Sequence, residues 1–354
     1  MVTKHELVQR LPNGPLDVIG DIHGELDALL ALLKNLAYDE RGQHRQDRHL
    51  VFVGDLCDRG PDSVGVIQLV KSLVDSGRAS SILGNHEINL LRNDAKDGSG
   101  WYFDERVQSD ERYQPFRRPS PTEKREIYEF LETLPLVLER DDLRVVHAAW
   151  QPEEIEVVRN LQADHAHGAY DHYQRKVDDT LRSDGRHQRY LDQKRQWHDR
   201  LEDHERAIPF LEAIAEYDAA NQAGNPIRVL TSGVERVGDA PFFSSHKWRF
   251  VNRVAWWDEY DDSVPVIVGH YWRMAEAVDR TIVGKGDAYL FEDIATHGWH
   301  GKRKNVFCVD YSVGGRWRER GISAGNSYRF KLAAMRWPER ELVFDTGERV
   351  MTLG

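Results

Sequence analysis

The sequence predicts an α/β fold built around a parallel sheet, and three observations carry that prediction. Short apolar runs end in glycine and then a potential metal ligand: Val18-Ile19-Gly20-Asp21, Phe52-Val53-Gly54-Asp55, Ile82-Leu83-Gly84-Asn85 and Val266-Ile267-Val268-Gly269-His270. Helical periodicity fills the gaps between the first three runs, which gives a βαβαβ rhythm. Strand signals then return in the last third of the chain. Apolar runs of this length closed by a turn signal read as buried strands, and glycine lets the backbone turn where each stops. Four strands of one sheet would deliver Asp21, Asp55, Asn85 and His270 to one edge. Open α/β sheets bind ligands at that edge, beyond the carboxyl ends of their strands.

The elements follow in order. A strand near 16–20 precedes a helix over 25–36, where Leu26, Leu29, Leu30 and Leu33 recur at three- and four-residue steps. A strand at 50–54 precedes a helix over about 62–76, opened by Pro61-Asp62-Ser63 and stopped by Gly77. A strand at 79–83 precedes a third helix from His86. Residues 97–121 hold Gly98, Gly100, Pro115, Pro119 and Pro121 and read as a loop or lid over the site. A helix over about 122–133 leads to strands at 136–139 and 143–147, joined by Arg140-Asp141-Asp142. Residues 151–224 are rich in Asp, Glu, Arg, His and Gln, and poor in Val and Ile. They are expected to form a mostly helical insertion or cap, with an amphipathic helix near 205–221. Strands are expected again at 227–231, 248–257, 264–268, 305–311, 328–335 and 341–345, all within a single domain over 1–354.

Composition narrows the class. At 354 residues, with 30% charged and 40% hydrophobic side chains, the chain suits a soluble globular protein with a large core. Ten Trp and thirteen Tyr argue against extensive disorder. A net charge of −11 disfavours a nonspecific nucleic-acid binder without excluding a local basic groove. Two cysteines, Cys57 and Cys308, read as reduced core thiols rather than a disulfide framework. Residues 1–14 show no apolar leader, and no run approaches the roughly 18 apolar residues of a membrane span. A cytoplasmic protein with no membrane partner is expected.

The runs extend into Gly-Asp-Ile-His-Gly at 20–24, Gly-Asp-Leu-Cys-Asp-Arg-Gly-Pro at 54–61 and Gly-Asn-His-Glu at 84–87. Asp21 and His23 can turn toward one cation from one loop. Asp55 can bridge two cations through its two oxygens, and Asn85 offers an amide oxygen. His147 and His270 end later strands. Carboxylates crowded at one edge would be forced to take up protons unless a metal relieved them, and two ions fit the number of donors. Mixed carboxylate, amide and imidazole ligands suit manganese, iron or zinc better than calcium.

These three motifs, with His147 and His270, resemble the signature of the phosphoprotein phosphatase superfamily, the calcineurin-like metallophosphoesterases. That group includes bacterial serine/threonine phosphatases and diadenosine tetraphosphatase-like enzymes. The resemblance spans most of 16–311. It implies a two-sheet sandwich, two mixed β-sheets flanked by helices. It implies two divalent ions, manganese first, with iron, zinc, nickel or cobalt as alternatives. Asp21, His23 and Asp55 would hold one ion; Asp55, Asn85, His147 and His270 would hold the other. Arg59 would bind phosphate oxygens in bidentate fashion. His86 would protonate the leaving oxygen, with Asp58 orienting and charging it. A metal-bridging hydroxide would attack phosphorus in line.

Departures from the family pattern sit close to the ligands. Position 272 is Trp where many members carry a further His ligand, as in the phosphoprotein phosphatase branch. His147-Ala148-Ala149 replaces a usual His-Gly-Gly, and Cys57 replaces a usual valine. A second phosphate-binding arginine is usual between the last two histidines. Arg228, Arg236, Arg249 and Arg253 are all candidates, and no motif chooses among them.

Plainer explanations stand beside the sharp ones. A lone Asp after a strand is usually a turn or helix cap, but four strand ends agree here. Arg59 could pair structurally with Asp58 or Asp62. Asp164-His165-Ala166-His167 and His172 resemble a metal tract, yet a solvated charged insertion explains them more simply. Trp256-Trp257 could stack a substrate, but one core and one surface aromatic is the simpler expectation.

The function expected first is a dinuclear phosphoesterase acting on phosphomonoesters, specifically a protein serine/threonine phosphatase. Its substrate partner would be a phosphorylated protein or a nucleotide. A hydrolase of dinucleoside polyphosphates is the alternative, with RNA-end or cap phosphatase behind it. A non-catalytic metal-binding module is the reading of another class. It is disfavoured because every ligand and the arginine are present.

Overall fold

The computed structural model describes residues 6–161, 165–244, 247–277, 289–320 and 328–354. Among these residues two mixed sheets carry the fold. The first joins parallel β2 (Leu16–Ile19), β3 (His49–Phe52) and β4 (Ala79–Ser81) to antiparallel β11 (Ala333–Trp337), β12 (Glu341–Phe344) and β13 (Arg349–Met351), in the order β13-β12-β11-β2-β3-β4. The second runs β1-β5-β6-β9-β10, from β1 (Val8–Arg10), β5 (Val137–Arg140), β6 (Leu143–Val146), β9 (Val266–Val268) and β10 (Val306–Cys308).

Alternation sets the layers, because successive strand side chains point to opposite faces. Leu16 and Val18 of β2 and Val51 of β3 join Leu143, Val145, Ile267 and Phe307 in a core between the sheets. Ile19 and Phe52 face the other way and join a core with Leu29, Leu32, Ile67 and Val70 of the helices. Those helices are α1 (Leu26–Asn35) and α2 (Ser63–Asp75); α3 (Asn85–Leu91) and α4 (Pro121–Glu132) follow. Asp62 caps α2 by accepting from the Gly65 N–H at 2.8 Å. Ser120 and Glu123 form a reciprocal capping box on α4.

Register then positions the ligands. Ile19 pairs with Phe52, and Phe52 with Ser81, so the residues leaving three parallel strands emerge along one edge. Val145 pairs with Ile267, which places the ends of β6 and β9 side by side. The expectation that one sheet supplies all four strand ends is therefore corrected. Asp21, Asp55 and Asn85 leave the first sheet, whereas His147 and His270 leave the second. An edge of a sandwich can collect strand ends from both layers, and periodicity along the chain says nothing of which layer a strand joins.

Between β6 and β9 lie α5 (Pro152–Asn160), α6 (Ala166–Ser183), α7 (Arg186–Trp197), α8 (Glu212–Ala223), α9 (Pro226–Ser232) and the hairpin of β7 (Glu235–Ser244) with β8 (Lys247–Arg253). The strand expected at 227–231 is a helix. Pro226 sits in its first turn, and the Asn225 side chain accepts from the N–H groups of Ile227 and Arg228. The strand expected at 248–257 ends at Arg253, with a 3-10 turn at Trp256–Asp258, and the helix near 205–221 begins at Glu212. Strands β1, β7 and β13 were not anticipated. Two of them are only three residues long, too short for alternation to register.

Trp256 and Trp257 are both buried, not one in and one out. Cys57 and Cys308 are free, buried thiols. Of the histidine tract, Asp164 lies outside the described residues; His165 and His167 stack on each other, and His167 lies 3.6 Å from Glu132. No described helix is long and apolar enough to cross a membrane.

Candidate metal centre

The loop after each central strand is fixed before any side chain reaches the centre. Glu87 of α3 is fully buried and accepts from the N–H groups of Gly84 (2.9 Å), Asp55 (2.8 Å) and Leu56 (2.8 Å). It ties the loop after β3 to the loop after β4. Burial, then the charge of Asp55, pushes its carboxyl above the ordinary range. Asp310, just beyond β10, accepts from Trp272 N–H at 2.9 Å and Ser312 N–H at 2.7 Å and so fixes the loop after β9. The glycines allow close approach. A Cβ on Gly84 would lie 2.2 Å from Asp55 Oδ1, and one on Gly269 would lie 2.1 Å from Asp21 Oδ1. His23 (φ 47°), Asp55 (49°), Asp58 (73°), Arg59 (67°), His270 (69°) and Trp272 (50°) all adopt left-handed backbone. Such positions are strained for non-glycine residues and gather where function holds them.

Asp55 lies at the middle. Its Oδ2 is 3.4 Å from His147 Nε2, 3.8 Å from His23 Nε2 and 3.9 Å from His86 Nε2, and its Oδ1 accepts from His86 N–H at 3.0 Å. Asp21 accepts from His270 N–H at 3.1 Å and lies 3.9 Å from His23 Nε2. Two buried groups of donors result, His23–Asp55–His86 and Asp55–His147–His270, with ligand atoms of each group within 4.8 Å of one another. Every residue expected as a ligand is thus drawn to one place, and His86 Nε2 faces it as well.

The donor chemistry fits a cation. His147 donates from Nδ1 to the Val53 carbonyl at 2.7 Å, His270 from Nδ1 to Asn85 Oδ1 at 2.9 Å, and His23 from Nδ1 to the Cys57 carbonyl at 3.0 Å. In its neutral form each ring thereby presents a lone pair on Nε2; for His147 burial is outweighed by Asp55, which raises its pKa. The buried Nε2 atoms of His147 and His270 have no hydrogen-bond partner. Unpartnered buried acceptors are costly, and an ion between them removes that cost.

Electrostatics agree. Burial, then Asp310 and Asp55, hold the Asp21 carboxyl well above its usual value. Burial also opposes ionisation of Asp55, but His147 and His86 outweigh it and hold its carboxyl well below the ordinary range. Burial, then Arg59, pushes His23 down, and burial, then Arg253, does the same to His270; both stay neutral. For His86 burial is outweighed by Asp55 and Asp58, and its pKa rises.

Asp58 Oδ2 meets His86 Nδ1 at 2.5 Å, and its Oδ1 accepts from Trp101 Nε1–H at 2.6 Å. Trp101, in the 97–121 loop, therefore fixes the carboxylate that fixes His86. Arg59 pairs with neither Asp58 nor Asp62. It donates to His23 Nε2 at 2.8 Å and lies 5.0 Å over the Trp272 ring. Among the four arginine candidates, Arg228 is engaged by Tyr170 and Gln174, and Arg236 by Glu259. Arg253 is the one whose charge is felt at His270.

Sequence reasoning missed Glu87, Asp310 and Trp101 as parts of the site. Glu87 stood inside Gly-Asn-His-Glu, and Asp310 closes the apolar run Val306–Val309 just as Asp21 and Asp55 close theirs. Trp101 carried no signal beyond its aromatic ring.

Residues 14–196, just over half of the chain, match the model of a family described as calcineurin-like phosphoesterase. An asymmetrical bis(5'-nucleosyl)-tetraphosphatase of Oceanobacillus iheyensis is 49% identical over 80 residues, 22% of this chain and 32% of that protein. A symmetrical bis(5'-nucleosyl)-tetraphosphatase of Klebsiella pneumoniae is 46% identical over 74 residues, 21% of this chain and 24% of that protein. The matched segments thus span a third or less of these relatives' own length. The solved cold-active protein-tyrosine phosphatase of a Shewanella species aligns over 98% of this chain and 83% of its own, at 16% identity and a TM-score of 0.45.

Proposed function

The chain belongs to the calcineurin-like phosphoesterase family, and from that premise we propose that it hydrolyses phosphoric esters or anhydrides with two divalent ions held at the shared sheet edge. One observation carries the proposal: Asp55 Oδ2 lies within 3.9 Å of three histidine Nε2 atoms brought from separate loops. Asp21, His23 and Asp55 would hold one ion, and Asp55, Asn85, His147 and His270 the other. Bound there, divalent ions of the manganese, iron or zinc type would supply Lewis acidity to water and to phosphoryl oxygens.

The chain's own residues do the rest. Arg59 binds two oxygens of the phosphoryl group through its planar fork, and Arg253 adds positive charge near His270. His86 gives a proton from Nε2 to the leaving oxygen. Asp58 holds Nδ1–H and favours the charged ring, and Trp101 holds Asp58. The helices and hairpin between β6 and β9 cap the edge and limit water.

For the substrate we place dinucleoside polyphosphates first, because the relatives named above carry that activity in their names and match over a segment of similar length to the three motifs. Protein serine/threonine phosphatase activity comes second, supported by Asp58-Arg59-Gly60 and Gly-Asn-His-Glu. Purified protein with added manganese is expected to hydrolyse diadenosine tetraphosphate, and rates beside a phosphoserine peptide and an aryl phosphate rank the classes. No hydrolysis of any of the three by protein shown to contain bound ions would sink the proposal. Failure to bind any ion would favour a non-catalytic module.

A further inference from the structure

The hairpin carries a row of cations that the chemistry above leaves mostly unused. In β8, Phe250 is buried with Ile208, Leu211 and Ile214, and Trp248 packs against that cluster. Strand alternation puts Lys247, Arg249, Val251 and Arg253 on the opposite face. Among the described residues, the side chains of Lys247, Arg249 and Arg253 have no hydrogen bond and no ion pair within 4 Å. The row begins close to the metal centre: three residues beyond Arg253, Trp256 donates from Nε1 to the Ala148 carbonyl at 3.1 Å, next to His147. Arg249 lies four residues on, roughly 13 Å of strand at about 3.3 Å per residue. Its charge reaches Lys247, and the charges of Lys194 and Lys96 reach that lysine as well. Lys96 belongs to the loop whose Gly98 carbonyl accepts from Arg59 N–H, so the row returns toward the phosphate-binding arginine.

Two acids, Asp218 and Glu235, lie near this row, and neither makes an ion pair with it within 4 Å. Burial raises the carboxyls of Asp218 and Glu235 toward their protonated form, against the pull of Lys247, Arg249 and Arg253. Burial, joined by Arg249, lowers the Lys247 ammonium, and burial lowers Arg249 against the attraction of Glu235 and Asp218. A protein of net charge −11 thus concentrates unpaired cations beside its metal centre. Lys247 and Arg253 are exposed and Arg249 is half-buried, so a dense linear anion can reach all three and supply their partners.

We propose that this face of β8 is the subsite for phosphate groups of the substrate beyond the one being cleaved, so that Lys247 and Arg249 select a polyphosphate chain over a lone monoester. The proposal rests on the phosphoesterase function above. A contiguous phosphate chain that starts at Arg253 presents charge at every step along the row, and guanidinium forks match its paired oxygens.

The test compares wild type with the double variant Lys247→Gln, Arg249→Gln, both loaded with manganese. For diadenosine tetraphosphate, KM is expected to rise about tenfold or more with kcat within about twofold. Both constants for an aryl phosphate should stay within about twofold. Equal losses on both substrates, or no change on either, overturn the proposal. A KM increase confined to an acidic phosphopeptide also overturns it and assigns the face to peptide. Calorimetric titration with inorganic tripolyphosphate separates the subsite from the catalysis. If wild type turns over nothing yet binds tripolyphosphate at least about tenfold more tightly than the variant, the subsite stands and the hydrolase function falls. Equal binding sinks the subsite whatever the turnover. Should the double variant fail to fold by circular dichroism, the two single variants carry the same comparison.

Discussion

Asp55 shows how much one residue can be asked to do: its Oδ2 touches both donor groups while its Oδ1 and backbone N–H are tied to α3. His86, by contrast, should be dispensable for the cage and decisive for rate. His86→Ala is expected to lower kcat about 10²- to 10⁴-fold, the usual worth of a general acid. Metal content by mass spectrometry should be unchanged, and full activity in the variant would sink the acid assignment. Residues at this scale were legible where chemistry and position coincide. Asp21, His23, Asp55, Asn85 and His270 each follow a strand at a turn. Glu87, Asp310 and Trp101 act on backbone N–H groups or on another side chain, and which backbone they face is settled only by the fold.

Elements depend on local signals that the chain states clearly in some places and hides in others. Helix α9 read as a strand because Ile227, Val229 and Leu230 form a short apolar run, whereas its real signature is Asn225 followed by Pro226. Besides capping, Asn225 donates to the Tyr170 carbonyl at 3.0 Å, so its loss strips a buried acceptor as well. Asn225→Ala should cost roughly 1–3 kcal/mol, read by urea denaturation. At the start of β3, His49 sits against Ser80 Oγ at 3.0 Å, and burial lowers its pKa to about 4. The unfolded ring titrates near 6.5, so between about 6.5 and 4 the unfolded state binds the extra proton. His49 therefore withdraws stability as pH falls through that window and costs nothing above it. His49→Gln should show a smaller drop in melting temperature than wild type between pH 7 and pH 4.5; parallel drops would refute this.

For the whole molecule, the sandwich is a device for letting two sheets share one edge. The class and the βαβαβ half were readable because each strand there announces itself with an apolar run and a glycine. Partition between two sheets was not, since β2, β3 and β4 look no different from β9 along the chain. Cations at the shared edge should also stabilise the fold. With manganese about a hundredfold above its Kd, linkage gives ~2.7 kcal/mol, or roughly 3–4 °C in melting temperature over chelator-treated protein. An unchanged melting temperature would argue that the cage does not hold the ion.

Asp21 and His270 meet across a sequence separation of 249 residues. The cage therefore cannot be completed until the chain has been made as far as His270. Asp21, His23 and Asp55 emerge early, His147 follows, and His270 arrives only after the hairpin has been made. Any ion captured early would be held by half a coordination shell, exchangeable and selected by supply, until the last strands dock and close it in.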